Sequence, residues 1–310
     1  MARGVSRGWI ACRGVGVIAT ALLLAGCSAR RLAVRVAANA LAGGVDIYAS
    51  DDDPELVREA LPFGLKTIEA LLAQDPQNPK LLLAAASGFT QYAYAFVQQE
   101  ADFVEGSDLA RATELRARAR RLYLRALAYG WRALEVDFPG LRARLQADPS
   151  KAEEILAALR KEHVPALYWT ASSWAAAIAL AKQEAELAAD LASVEALMRR
   201  ALALDEGYAM GAIHDFFIAY EGSRTAVGGS EAKARQHLER ALSQGKRAGP
   251  LVSFAESVDV AKQDRADFER LLNQALAIDP DAAPAQRLAN LIAQRRARWL
   301  LGRADELFIE

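Results

Sequence analysis

Cysteine and histidine are scarce in this chain, and their positions exclude most thiol and metal chemistry. The two cysteines are Cys12 and Cys27, and Cys12 lies in the leader segment described below. A mature chain that begins at a lipidated Cys27 has no disulfide and no free thiol for catalysis or metal binding. The three histidines, His163, His214 and His237, form no i,i+4 pair and no His-Glu-x-x-His motif. The sequence therefore predicts a protein that is not an enzyme and holds no metal.

One histidine has an acidic neighbour and is the weak exception. His214 and Asp215 are adjacent and are followed by two phenylalanines, Phe216 and Phe217. We interpret this histidine as a hydrogen-bonded residue at the edge of a helix packing surface. It would become a catalytic candidate only if an acid and a third, orienting group met it in a closed pocket.

Glycine, proline and β-branched residues are sparse between long periodic runs of Ala, Leu, Arg and Glu. This composition predicts an all-α fold. The formal charge of −1 argues against a nucleic-acid partner, because such proteins concentrate basic residues on one face. Basic residues do cluster between Arg111 and Arg125, but their helical spacing among apolar positions indicates a solvated helix face.

The amino terminus has the features of an export signal. Three arginines precede an apolar run, Gly14 to Leu24, which is well short of the roughly 20 residues that span a bilayer. The run ends in Leu-Ala-Gly-Cys, which resembles the bacterial lipobox, and it predicts a cleaved signal over residues 1–26. A diacylglycerol or acyl lipid attached covalently to Cys27 would be the only anchor in the membrane, and no other cofactor is expected. Ser28 after the cysteine predicts the periplasmic side of the outer membrane.

A weak repeat follows the leader and defines the domain organisation. Four segments share an apolar helix end, an Asp, Gly or Pro turn and a new helix start, with successive spacings of 40 and 34 residues between Asp205, Gly245 and Asp279. Such spacings are close to the tetratricopeptide period. The pattern predicts a lipidated tether and first helix over residues 27–50. It also predicts an irregular tetratricopeptide-like array of antiparallel helix pairs over residues 51–310.

Three polar runs are explained by helix caps. The acids at 51–53 predict an N-cap at Asp53 before Pro54, and not a calcium site, because the spaced ligands of an EF-hand are missing. Ser150 and Glu153 predict a capping box. Ser230 after two glycines predicts another N-cap, and no Gly-Lys-Ser/Thr phosphate loop is present.

One stretch, GFTQYAYAFVQQEAD from residue 88 to 102, combines aromatic and polar residues in a way that a simple core helix would not. At about 100° per residue, one face holds the rings of Phe89, Tyr92, Phe96 and Phe103, while Gln91, Gln98 and Asp102 lie opposite, towards solvent. Gln99 and Glu100, however, fall beside the aromatics. Because an unpaired buried carboxylate costs several kcal/mol, three interpretations stay open: a paired buried acid, a subunit contact, or the wall of a polar-aromatic cavity.

A second aromatic segment, PALYWTASSWAAAIALA, adds Tyr168, Trp169 and Trp174 on a helix of small residues. These residues are typical of a packed core, and the indole N–H groups need partners when they are buried. The cavity hypothesis places the following residues on the lining of a ligand site or pore: Tyr92, Tyr94, Phe96, Gln99, Glu100, Trp169 and Trp174.

Several long motifs resemble the T-component family of tripartite ATP-independent periplasmic (TRAP) transporters. They are the 88–102 stretch, YASDDDPELVREALPFGLKTIEALLAQDP, AGPLVSFAESVDVAKQDRADFERLLNQALAIDP and LANLIAQRRARWLLGRADELF. The resemblance extends from about Ala38 to the end of the chain. It implies a non-enzymatic periplasmic lipoprotein that forms a homotrimer and associates with the solute-binding P subunit, and it maps the lipobox onto Cys27.

Two functions are therefore expected from different classes. The first is a TRAP subunit that binds the P subunit and handles a small apolar or amphipathic solute, for which an aromatic lining with a few polar groups is suited. The alternative is a tetratricopeptide scaffold lipoprotein for envelope assembly, with no small-molecule cavity.

Overall fold

The computed structural model describes residues 45–181, 190–225 and 228–309. Within these ranges the chain is helical and contains no strand, so the predicted all-α class is confirmed. The predicted signal at residues 1–26 and the lipid site at Cys27 lie outside the described residues. No described helix combines the length and apolar character required to cross a bilayer.

The helices fall into an amino-terminal group and a carboxyl-terminal group, numbered here in chain order. The first group is α1 (Val45–Ala49), α2 (Pro54–Leu72), α3 (Pro79–Tyr92), α4 (Gln99–Val104), α5 (Leu109–Glu135), α6 (Leu141–Ala147), α7 (Ala152–Leu156) and α8 (Val164–Ala179). The second group is α9 (Leu191–Leu204), α10 (Ala212–Gly222), α11 (Glu231–Gln244), α12 (Ala248–Phe254), α13 (Val260–Lys262), α14 (Arg265–Leu276), α15 (Arg287–Leu301) and α16 (Ala304–Leu307).

Two of the segments that connect successive helices are π-helices and not loops. Ala93–Gln98 joins α3 to α4, and Ala255–Asp259 joins α12 to α13. A π turn closes hydrogen bonds from residue i to i+5 and therefore holds one more residue than an α turn. Such turns are rare and often occur at functional sites, which makes both segments markers for a site.

The helix starts confirm two of the three predicted caps. The carboxylate of Asp53 accepts hydrogen bonds from the N–H groups of Glu55 and Leu56, and the hydroxyl of Ser230 accepts one from Lys233. The predicted capping box at Ser150 is wrong. Its hydroxyl donates instead to Asp148 at 2.5 Å, and the chain passes through a short 3₁₀ turn before α7 begins.

Neighbouring helices pack in pairs around three apolar clusters. The first cluster lies among α2, α3 and α5, the second among α5 to α10, and the third among α10 to α16. Glycine permits one of the closest crossings: a Cβ at Gly130 of α5 would lie 2.4 Å from Oγ1 and 3.1 Å from Cα of Thr170 in α8. The predicted turns at Asp205 and Gly245 fall directly after α9 and α11. This pairing is compatible with a tetratricopeptide-like array.

Helix α15, near the carboxyl end of the described chain, closes the array onto its beginning. Arg287, at the start of α15, donates a hydrogen bond to the carbonyl of Ser50 at 3.0 Å. Arg295 donates to the carbonyl of Ala95 at 2.7 Å and lies 3.5 Å from the carboxylate of Glu55. As a result, α15 contacts the beginning of the described chain and lies beside the first π segment.

Candidate functional site

A cavity of about 850 Å³ lies beside the two π segments. Its wall combines the first π segment and α4, one face of α5, the end of α8, the second π segment, and α15 with α16. Apolar and charged side chains contribute in similar numbers to this wall. The lining residues are Gln98, Asp102, Glu105, Arg116, Ala179, Leu180, Ala181, Glu256, Val260, Arg296, Trp299, Leu300, Arg303 and Leu307.

A lattice of ion pairs forms the charged side of this cavity. The guanidinium of Arg296 reaches Oδ2 of Asp102 at 2.9 Å and, with Nε at 2.9 Å, also binds the carboxylate of Glu256. Arg116 bridges the other oxygen of Asp102 at 3.1 Å and Glu105 at 2.6 Å. Asp102 thus joins two arginines, and these five side chains connect α4, α5, α15 and the second π segment.

The lattice shifts the pKa of three of its members, Arg296, Arg116 and Glu105. Burial alone would lower the pKa of Arg296, but its hydrogen bonds to Glu256 and the charges of Glu256 and Asp102 raise it well above its usual value. The hydrogen bond to Glu105 likewise raises the pKa of Arg116, and it lowers the pKa of Glu105. The two arginines therefore stay charged at any physiological pH, so this wall keeps both signs of charge.

The indole ring of Trp299 packs against two guanidinium groups in the wall of the cavity. Trp299 has the guanidinium carbon of Arg296 at 5.0 Å and that of Arg303 at 4.8 Å from its ring centroid. Phe103 packs against the same ring at 5.3 Å. Cation–π contacts of this kind hold an aromatic side chain in place, so Trp299 is a fixed part of the wall.

The π segments explain why a uniform helical projection predicted the wrong environment for Gln98 and Asp102. Both were expected to face solvent, yet both line the cavity, and Gln98 accepts a hydrogen bond from the Tyr123 hydroxyl at 2.6 Å. The extra residue in the π turn rotates every later residue relative to a uniform 100° projection. For the same reason Phe103 packs on Trp299 and not with the preceding aromatic residues.

The seven predicted lining residues are not among the residues that line this cavity. Tyr92 and Phe96 are buried in the first apolar cluster, with ring centroids 5.8 Å apart, and Trp174 packs edge-on against Trp131 at 5.6 Å. Trp169 is half-buried and contacts Tyr168. These placements do not test ligand binding, so the assignment of these residues stays a prediction.

The polar members of that set differ in environment. Gln99 is fully buried, and neither atom of its amide has a hydrogen-bond partner among the described residues. Glu100 is half-buried and attracts the guanidinium of Arg295. Tyr94 is 44% exposed as a residue, but its hydroxyl is buried, and this burial raises its pKa. The hydroxyl also interacts with the charges of Arg296 and Glu256. The 88–102 stretch borders the cavity through Gln98 and Asp102, and not through these three residues.

Arg116, Glu256, Arg296 and Trp299 were missed as site residues. No local motif marks them, because they come from three distant parts of the chain. The signal that could have found them is the resemblance itself, since two of the resembling motifs contain Glu256, Arg296 and Trp299.

The weak catalytic candidate proves to be a packing contact between α10 and α11. Nδ1 of His214 lies 2.8 Å from Nδ1 of His237, and Nε2 of His214 lies 3.3 Å from Glu206. Burial lowers the pKa of both imidazoles, that of His237 to about 4. Asp215 points elsewhere and binds Arg247 through two hydrogen bonds. In the part of the chain that the structure describes, no three His, Cys, Asp or Glu residues are grouped to hold a metal.

Comparison with known proteins identifies the family. Residues 50–308 match the profile of the family described as TRAP transporter T-component. An uncharacterized protein of Treponema pallidum (strain Nichols) is 32% identical, over 94% of this chain and 96% of that protein. This family is a transporter accessory family and not an enzyme family. The chain therefore belongs to the TRAP transporter T-component family.

Proposed function

We propose that this protein is a lipid-anchored periplasmic TRAP subunit that binds the solute-binding P subunit and holds a small amphipathic solute in the cavity between the π segments. Family membership supports a TRAP transporter subunit. The single observation that carries the solute site is the cavity itself, whose volume of about 850 Å³ lies within the range of roughly 300–1,000 Å³ for ligand pockets.

The division of the wall determines which solute fits. Leu180, Val260, Leu300 and Leu307 offer an apolar surface to the body of a ligand. The ion-pair lattice of the opposite wall has a formal charge of −1, because it joins three carboxylates to two guanidinium groups. A ligand with one polar end can exchange hydrogen bonds with the edge of this lattice. A ligand with several charges would have to break buried ion pairs, which costs several kcal/mol.

Blocking the cavity tests this site. Ala179 lines the cavity and is exposed, so Ala179→Phe would fill the space without opening the core. Ala143→Phe makes the same change on an exposed position of α6 and is the matched control. With the amphipathic fluorophore 1-anilinonaphthalene-8-sulfonate as the probe, we expect saturable binding that weakens about tenfold in Ala179→Phe only. Equal binding by all three proteins would refute the site.

The seven residues predicted from the sequence form a separate hypothesis about the lining. Their test uses Glu100→Ala and Trp169→Ala, because these two residues are half-buried and their removal opens no large core cavity. Solute-dependent tryptophan fluorescence and P-subunit binding should both change. If both variants fold and behave as the wild type does, the ligand role of that set is refuted.

The remaining parts of the proposal concern assembly and location. A lipid on Cys27, anchoring at the outer membrane and a homotrimer are supported by the leader sequence and by the family resemblance. Metabolic labelling with palmitate should mark the wild type and leave Cys27→Ser unlabelled, and sedimentation of delipidated protein should give three times the chain mass. A pull-down that recovers envelope-assembly factors and no P subunit would favour the scaffold function instead.

A further inference from the structure

The longest helix, α5, carries a charge that the rest of the chain does not share. It contains seven arginines, two glutamates and no lysine, a formal charge of +5 in a chain whose total is −1. The sequence led us to interpret this cluster as a solvated helix face, and most of its arginines are exposed. Their arrangement, however, is more ordered than solvation requires.

Four of these arginines form a stripe along the helix. They repeat every seven residues, at Arg111, Arg118, Arg125 and Arg132, and all four are exposed. With a rise of about 1.5 Å per residue, neighbouring members are roughly 10 Å apart and the stripe is about 30 Å long. Because seven residues fall about 20° short of two full turns, the stripe drifts slowly around the helix and stays on one side. Arg121 is exposed next to it and forms no ion pair with another described residue.

Aromatic rings hold three of the four guanidinium groups in position. The distances from guanidinium carbon to ring centroid are 5.9 Å for Arg118 on Tyr92, 5.4 Å for Arg125 on Phe89 and 5.3 Å for Arg132 on Tyr129. Two of the three rings belong to the aromatic 88–102 stretch. A guanidinium group that is already stacked loses less conformational freedom when it binds a carboxylate, which favours association.

Acids within the protein neutralise only a small part of the stripe. Arg111 contacts Glu114 at 3.1 Å on an open surface. Arg125 lies 3.7 Å from Glu69, whose carboxylate already receives bonds from Lys66 and from the Tyr129 hydroxyl. An exposed pair such as Arg111–Glu114 contributes about 0–1 kcal/mol. At 3.7 Å, with a carboxylate that two other groups already bind, the Arg125–Glu69 contact is also weak. The stripe therefore keeps a net positive potential.

We propose that the outer face of α5 docks a row of carboxylates on a folded partner protein, and this inference rests on the proposed function in taking that partner to be the P subunit. The use of arginine without lysine is typical of protein interfaces, where Arg is enriched and Lys is depleted. A second copy of this chain would bring the same charges together. An anionic membrane is disfavoured because the apolar face of α5 is buried inside the protein and cannot enter the bilayer.

The test reverses charge at two positions that stack on no ring. Arg111→Glu with Arg121→Glu changes the charge of the outer face of α5 by four units, and Arg144→Glu with Arg298→Glu makes the same change at exposed positions on α6 and α15. Binding of the full, delipidated proteins to the purified P subunit is measured by titration calorimetry at about 50 mM and about 500 mM salt. The Kd of the α5 double variant should rise at least tenfold at low salt, against less than twofold for the control. Wild-type binding should weaken with salt more steeply than that of the double variant.

The other possible results distinguish failure of the docking surface from failure of the proposed function. If the P subunit binds the wild type and the α5 double variant equally, the docking surface is refuted and the proposed function stands. If it binds neither of them, the proposed function fails and the docking surface fails with it. If the wild type binds vesicles of phosphatidylcholine and phosphatidylglycerol and the double variant does not, the stripe belongs to the membrane and the proposal is overturned. Should the double variant unfold, single Arg121→Glu replaces it.

Discussion

Replacing Asp259 with asparagine should stabilise the protein at neutral pH, because this carboxyl group is buried without a partner. Asp259 ends the second π segment, is 0% exposed, and has two carboxylate oxygens with no hydrogen-bond donor among the described residues. Burial, together with the charges of Asp267 and Asp264, raises its pKa to about 7, while Arg235 and Lys262 oppose this only in part. Folding therefore favours the protonated acid.

The magnitude follows from proton linkage. Between about pH 4 and about pH 7 the folded protein binds a proton that the unfolded chain has released, so the free energy of unfolding falls as pH rises through this window. Each pKa unit corresponds to about 1.4 kcal/mol, so a rise from 3.8 to about 7 sets an upper bound of roughly 4 kcal/mol. Relaxation around the charge reduces this bound. We expect Asp259→Asn to exceed the wild type by about 2 kcal/mol at pH 8.

Urea unfolding of both proteins at about pH 4, 6 and 8 measures this difference. The gain should be near zero at the lowest pH, grow up to about pH 7 and then stay level. Asp52→Asn makes the same chemical change at an exposed site and should alter stability by less than about 0.5 kcal/mol throughout. Equal stability of wild type and Asp259→Asn at pH 8, or a gain that is the same at all three pH values, would refute the reasoning.

The remaining predictions concern a crossing, an ion pair and a cap. Gly130→Ala should destabilise the protein by about 1–3 kcal/mol in thermal unfolding, because the new Cβ would lie 3.1 Å from the Cα of Thr170. This loss should exceed the gain from the higher helix propensity of alanine. Arg296→Leu should cost about 1–3 kcal/mol in urea unfolding, because Asp102 and Glu256 lose charge-assisted hydrogen bonds while Glu256 stays in contact with water, and a smaller loss for Arg296→Lys would confirm that charge is the cause. Asp53→Ala should cost about 1 kcal/mol, while Asp53→Asn should cost much less, because asparagine also caps helices. Unchanged stability of Gly130→Ala, or equal stability of the two variants at Arg296 or at Asp53, would contradict the corresponding contact.

Helical class and helix boundaries were predictable because they depend on local chemistry. Periodicity, the cap at Asp53 and the turns after α9 and α11 are encoded within a few residues, and the structure confirms them. The failure at Ser150 was also local, since Ser150 lies inside the 3₁₀ turn Pro149–Lys151 and the helix begins only at Ala152. A shift of about one or two residues in a helix start is within the usual error of boundaries predicted from a single sequence.

The cavity was not predictable because it depends on long-range packing. A uniform helical projection assigned Gln98 and Asp102 to solvent, and the π turn before them reversed that assignment. Arg116 and Arg296 meet Asp102 only after α5 and α15 have packed on α4. Neither the extra residue of a π turn nor an ion pair across almost two hundred positions leaves a local pattern in the sequence.

The contact of α15 with the first helices has a consequence for how the protein unfolds. In an open solenoid each repeat touches only its neighbours, so terminal repeats can fray while the middle stays intact. Here Arg287 and Arg295 bind carbonyl groups 237 and 200 positions earlier, so that loss of either end exposes the other. The two ends protect each other as capping repeats would, and the whole helical domain gains the cooperativity of a closed ring.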